Sequence, residues 1–194
     1  MIAEAIRRSP LADYAERFTT LYQTSGGSLS IRELPFLTQI NLRVDSGDTA
    51  VMRRLSDSLG SVLPMTPNTV TLAGDRRALW LGPDEWLVVG PENHQNAINE
   101  ALHVGLDDAF GSIVDVSANR TVLEIRGAGA RELLSHGVPI DLDAPAFGPG
   151  QCAQTLLAKA QVTIEHRDES GFHIYTRTSF ASYVANWLLD AAAE

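Results

Sequence analysis

Cysteine is almost absent: Cys152 is the only one in 194 residues. A single thiol excludes an intrachain disulfide framework and a thiolate cluster for zinc, and it fits a reducing compartment. Long apolar runs are missing as well. Nowhere do 18 apolar residues follow one another, and Arg7 and Arg8 are not followed by an apolar stretch, so neither a membrane span nor a secretory leader is expected. Positive charge is in short supply, with 15 Lys and Arg against 24 Asp and Glu and a formal net charge of −9. That sign opposes any binder that works by neutralising phosphates. The expectation is a cytoplasmic chain with neither nucleic acid nor membrane as a partner.

Motifs that carry chemistry are missing too. There is no Gly-Lys-Ser/Thr phosphate loop, and Ser117 and Ser135 sit in no nucleophile elbow. The five histidines, His94, His103, His136, His166 and His173, show no short-range ligand spacing and read as surface or helix-end residues. Gly127 and Gly129 begin a dinucleotide fingerprint, but its third glycine position holds Glu132, whose carboxylate would face the phosphates. A helix start is the better reading. Cys152 is the one candidate nucleophile, and with nothing nearby to lower its pKa it reads as inert. No catalytic, cofactor-binding or metal-binding residue is expected in this chain.

What is present suits a sizeable core: 44% of residues are hydrophobic and 20% charged. The stretch Gly111–Leu134 reads as strand, turn, strand, helix, with Thr121–Ile125 as the second strand and Gly127 as the bend into the helix. Ahead of it, Ile31–Leu34 and Thr38–Val44 form one interrupted strand or a bent pair, broken at Pro35. Asp48 caps a helix that Gly60 ends. A hairpin turns at Gly82-Pro83-Asp84-Glu85, with Trp80 and Trp86 as cross-strand neighbours, and Asn93 caps the next helix. Three strands follow Cys152, and Thr178 or Ser179 caps a last helix. A helix at Ala3–Ile6 precedes the apolar stripe of Leu11, Tyr14 and Phe18, which either packs on its own domain or docks on another subunit.

This order predicts an α+β fold of mixed, mostly antiparallel sheets with packed helices. Residues 1–28 form an N-terminal arm and 29–194 a single domain of two related halves, 29–110 and 111–194. The candidate partner surface is Leu11, Tyr14, Phe18, Trp80 and Trp86.

The run Asp115-Val116-Ser117, Arg120-Thr121-Val122-Leu123-Glu124-Ile125, Gly127, Ala130, Leu133-Leu134 resembles the middle of the aminomethyltransferase superfamily, the folate-binding fold of the glycine cleavage T-protein. More narrowly, Arg8-Ser9-Pro10-Leu11, Leu81-Gly82-Pro83-Asp84-Glu85-Trp86-Leu87, Pro139-Ile140-Asp141-Leu142 with Phe147 and Pro149-Gly150, and Gln154-Thr155-Leu156-Leu157 together resemble the gamma subunits of heterotetrameric sarcosine oxidases.

The resemblance implies a non-catalytic structural or assembly subunit that binds no cofactor alone. Its partners would be alpha, beta and delta subunits that hold FAD, FMN, NAD, zinc and tetrahydrofolate. Such complexes oxidatively demethylate sarcosine to glycine with O2 and tetrahydrofolate, giving H2O2 and 5,10-methylenetetrahydrofolate. Folate-dependent members carry Gly-Gly and then paired Asp before the hairpin; here Thr71–Arg77 offers Asp75 alone. Two other expectations stay open: a stand-alone folate-binding protein, whose Lys-Gly-Cys-Tyr segment is only partly matched at Gly150-Gln151-Cys152, and an assembly module of a different complex.

Overall fold

The computed structural model describes residues 7–193, so the helix expected at Ala3–Ile6 lies outside the described residues. A 3-10 turn at Ala12–Tyr14 leads into α1 (Ala15–Thr24), β1 (Ser30–Leu34), β2 (Thr38–Val44) and α2 (Thr49–Leu59). Then come β3 (Val70–Ala73), β4 (Arg76–Gly82), β5 (Glu85–Gly90) and α3 (Gln95–Leu106). The second half supplies β6 (Gly111–Asp115), β7 (Arg120–Arg126), α4 (Ala130–Ser135), β8 (Cys152–Leu157), β9 (Ala160–Asp168), β10 (Gly171–Arg177) and α5 (Ala181–Ala191).

Two five-stranded sheets result, ordered β1-β7-β10-β9-β8 and β6-β2-β5-β4-β3, with every pairing antiparallel. Each half therefore runs strand, strand, helix, three strands, helix. The leading strands are exchanged: β1 pairs with β7 and β6 with β2. Ile31–Val44 is thus neither one strand nor a bent pair in one sheet. Its two strands lie in different sheets, and the chain crosses between them at Pro35 and Phe36, where Phe36 takes φ 62°.

Local chemistry sets most boundaries. Asp48 accepts hydrogen bonds from the N–H groups of Ala50 and Val51, both at 3.1 Å, and Gly60 at φ 67° ends α2. Asn93 does not cap α3. It takes φ 64°, and His94 leads the helix with its N–H on Thr38 Oγ1 at 3.1 Å. Thr178 and Ser179 lie in a 3-10 turn before α5, and the Thr178 hydroxyl donates instead to Ala118 O at 3.0 Å.

The sheets stack face to face and helices cover both outer faces. Leu79, Leu81, Leu87, Val89, Val122, Cys152 and Tyr175 fill the space between the sheets. Val51, Leu55, Ile98 and Leu102 seal α2 and α3 onto Ile40, Leu42, Trp86 and Val88. On the opposite side α1, α4 and α5 share a core with Ile31, Leu123, Ile125, Ile164 and Ile174. Leu11 and Phe18 belong to that core at 2% and 5% exposure, so the N-terminal stripe packs on its own domain. Trp86 is fully buried and its indole N–H donates to Pro64 O at 2.8 Å. Leu11, Phe18 and Trp86 therefore have no surface to offer a partner, a correction to the expected interface. Tyr14 and Trp80 remain half-buried.

Gly127 makes the bend after β7 at φ 112°, its N–H on Ser170 O at 2.9 Å, and a Cβ there would collide with the Ser28 carbonyl. Gly127→Ala is expected to lower the unfolding free energy by about 2 kcal/mol or more in urea denaturation. Gly60→Ala, at an open left-handed position, costs about 1 kcal/mol. Equal losses at the two sites would remove the Ser28 contact as the cause.

Candidate functional site

One row of side chains crosses all five strands on the inner face of the first sheet. Arg32, Glu124, His173, Glu165 and Cys152 stand opposite one another in register, on β1, β7, β10, β9 and β8. Strand alternation sends their neighbours Ile31, Ile125, Phe172 and Ile164 to the helix-covered face. From Glu124 to Cys152 this row is not left to water, because the second sheet covers it; Arg32 at the edge stays 64% exposed.

Glu165, 1% exposed, is the centre of this row. The Tyr175 hydroxyl donates to its Oε2 at 2.6 Å and Arg167 Nη1 reaches Oε1 at 2.9 Å. From the facing sheet, Arg77 Nη1 lies 3.5 Å from Oε2 and donates to His173 Nδ1 at 2.8 Å. A guanidinium only donates, so His173 Nδ1 is the acceptor and the ring carries its proton on Nε2, 3.6 Å from Glu124 Oε1. Glu124 is gripped by Arg32 Nε at 2.6 Å and Arg126 Nε at 3.1 Å, and Arg126 also forks onto Asp168 at 2.8 and 3.1 Å.

These contacts explain the protonation states. Burial pushes the His173 ring down to about 4 against the pull of Glu165, with Arg77 and Arg167 adding to the downward push. Burial, reinforced by Glu165, holds the Tyr175 phenol well above its ordinary value. Burial alone would raise the Glu124 carboxyl, but the hydrogen bonds from Arg32 and Arg126 outweigh it and the group titrates below its ordinary value. The Asp168 carboxyl is held low chiefly by Arg126. At neutral pH His173 is therefore a neutral ring, Tyr175 a phenol, and Glu124 and Asp168 carboxylates. A general acid or base needs a proton or lone pair facing a substrate, and both row carboxylates turn theirs to arginines.

The remaining candidates lie elsewhere. The Cys152 thiol, buried between Thr69 O and Trp80 O, is pushed up to about 12 by desolvation and by Glu165. His166 and His173 are not surface residues. His166 is stacked on Phe172 at 4.5 Å between centroids, with Phe147 at 6.1 Å on its other contact and its Nδ1 2.8 Å from Phe147 O. At the hairpin turn, Asp84 forks with Arg43 at 2.9 and 3.1 Å and Glu85 accepts from Asn41 at 2.8 Å, so these adjacent carboxylates point to different partners. Among the described residues no group of three or more His, Cys, Asp or Glu is arranged to hold a metal ion, and no helix is long and apolar enough to cross a membrane.

Residues 43–194 match the sarcosine oxidase, gamma subunit family. The chain belongs to that family. Sarcosine oxidase subunit gamma of Corynebacterium sp. (strain P-1) is 35% identical over 191 residues, covering 98% of this chain and 92% of the relative. The protein of the same name from Arthrobacter sp. is 34% identical with the same coverage. A chain of the heterotetrameric sarcosine oxidase from Corynebacterium sp. U-96, solved in complex with pyrrole 2-carboxylate, superposes with a TM-score of 0.87 at 31% identity over 97% of this chain and 96% of that one. Aminomethyltransferase T of the glycine cleavage system from Bartonella henselae superposes at 0.66 with 13% identity, over 95% of this chain and 57% of that one, and shares the fold alone.

That fold implies a folate, and the residues of this gamma-family chain do not fit one. Asp75 is the only acid of the segment before the hairpin, and it lies exposed at the β3–β4 turn beside Gly74 at φ 60°. The inner carboxylates Glu124 and Glu165 are already paired.

Unfolded His173 takes up a proton below about 6.5, whereas the folded ring does so only near about 4. Across that window the unfolded state binds more protons, so stability falls as pH falls. Glu124 and Asp168, both held low, act in the same direction at the acid end. The urea midpoint should therefore drop between neutral pH and about 4, and His173→Gln should flatten the drop between 6.5 and 4. An unaltered slope in the variant would contradict this assignment.

Proposed function

We propose that this chain serves as the gamma subunit of a heterotetrameric sarcosine oxidase, as a structural part with no catalytic centre of its own. The observation that supports this best is the state of the inner row in a chain that aligns with sarcosine oxidase subunit gamma over 98% of its length. Its carboxylates are bonded to arginines of the same chain, one of them reaching over from the other sheet. The inner-row acids of this chain serve to hold two sheets together.

In this reading the neighbours are alpha, beta and delta subunits, and FAD, FMN, NAD, zinc and tetrahydrofolate are held by them. The assembled cytoplasmic enzyme demethylates sarcosine to glycine and passes the one-carbon unit to tetrahydrofolate while O2 becomes H2O2. This subunit contributes surface and rigidity.

Two measurements on the full chain test the proposal. Co-expression with the other subunits, one of them tagged, should retain this chain in stoichiometric amount. Calorimetric titration of the isolated chain with a reduced folate should give no binding heat. A stoichiometric folate heat would favour a stand-alone folate-binding protein, and retention by unrelated companions a module of another complex.

A further inference from the structure

Past the ion-paired row, the inner face of the first sheet ends in a row of another kind. Arg120 of β7 and Arg177 of β10 are register partners, so their side chains emerge on one face. With Gln154, Gln161, Thr163 and Tyr175 they line a hollow of about 460 Å3 that opens to solvent. Among the described residues no carboxylate lies within ion-pair distance of either guanidinium, whereas the arginines of the neighbouring row all hold one. Arg120 Nη1 is buried without a hydrogen-bond partner.

Two cations side by side, one with a desolvated donor left unmatched, are unfavourable for the isolated fold. An anion from outside the chain relieves both costs. We propose that this hollow is the docking site for an acidic side chain of a partner subunit, whose carboxylate is received by Arg120 and Arg177. The inference rests on the gamma-subunit reading above.

Three features favour a protein carboxylate over a free ion. The hollow is far larger than a simple anion, since one water takes up only about 30 Å3, and a side chain brings its own stem to fill it. Leu156, 41% exposed on the edge strand β8, forms an apolar rim of the kind protein contacts use. The chain carries a net charge of −9, so an acidic partner surface is repelled by most of it and admitted where two adjacent arginines hold no carboxylate within ion-pair distance, Glu85 acting on Arg120 only from farther off.

The test uses the full chain co-expressed with its partners, comparing wild type, Arg120→Gln/Arg177→Gln, and Arg8→Gln/Arg53→Gln, which removes equal charge from exposed sites. The hollow variant should bind the other subunits at least about tenfold more weakly, with a shallower salt dependence. The control should match wild type. Isolated, the hollow variant should unfold no earlier than wild type, because it loses a repulsion.

Assembly of the hollow variant as tight as wild type would overturn the proposal, as would equal weakening of the control. Earlier unfolding of the isolated variant would make the arginines structural and overturn it too. A thermal shift of the isolated wild type with acetate or phosphate, absent in the variant, would reassign the hollow to a free anion. Should wild type itself fail to join the sarcosine oxidase subunits, the functional reading falls and takes this one with it; equal assembly by both chains removes only the role of the hollow.

Discussion

Glu165 is the group on which the two sheets close. A carboxylate at 1% exposure is costly to desolvate and persists only when its lone pairs are matched. Tyr175 and Arg167 match it from the same sheet, and Arg77 comes from the other. Arg77 in turn bonds His173, which stands between Glu124 and Glu165 and keeps the two acids apart with a neutral ring. Sliding the sheets would strip Arg77 from both partners and leave its guanidinium without the carboxylate and imidazole that match it. The apolar contacts of Leu79, Leu87, Val89 and Val122 are less directional, so the ion-paired row, together with the backbone bridge Thr69–Gln151 and the bond from Gln154 Nε2 to Leu81 O at 2.8 Å, sets how the faces register.

Strand exchange adds a second constraint of the same sense. Because β1 completes the sheet of the second half and β6 that of the first, neither half has a finished sheet without the other. Charge pairing and connectivity together make one cooperative body from two similar halves. A two-sheet body with its inner acids paired to arginines suits a subunit that supports chemistry held elsewhere. The fold shared with aminomethyltransferase T shows that the architecture does not itself decide the function.

Much of this was legible in the sequence wherever the signal is local. Asp48 and Gly60 bound α2 through capping and a left-handed turn, and the three strands after Cys152 follow from alternation and turn residues. Non-local facts were not legible. Alternation in Val122-Leu123-Glu124-Ile125-Arg126 says which side chains share a face, yet not that the polar face is roofed by a second sheet. For the same reason His173 looked like a surface residue, and His166 gave no sign of Phe147 and Phe172 around it. The crossing at Phe36 depends on one residue's positive φ, which a phenylalanine does not advertise. Leu11 and Phe18 showed an apolar stripe, and only the position of α1 against β1 and α5 reveals what it covers.

The coupling between Arg77 and Glu165 across the two sheets is measured by urea unfolding of Arg77→Met, Glu165→Leu and the double variant of the full chain. Each single change should cost about 3–5 kcal/mol, Arg77→Met by leaving Glu165 with Arg167 and Tyr175 alone and Glu165→Leu by leaving Arg77 and Arg167 without their shared carboxylate, and the double change should cost clearly less than their sum. Near-neutral single variants, or losses that simply add, would contradict the claim that this pair joins the sheets.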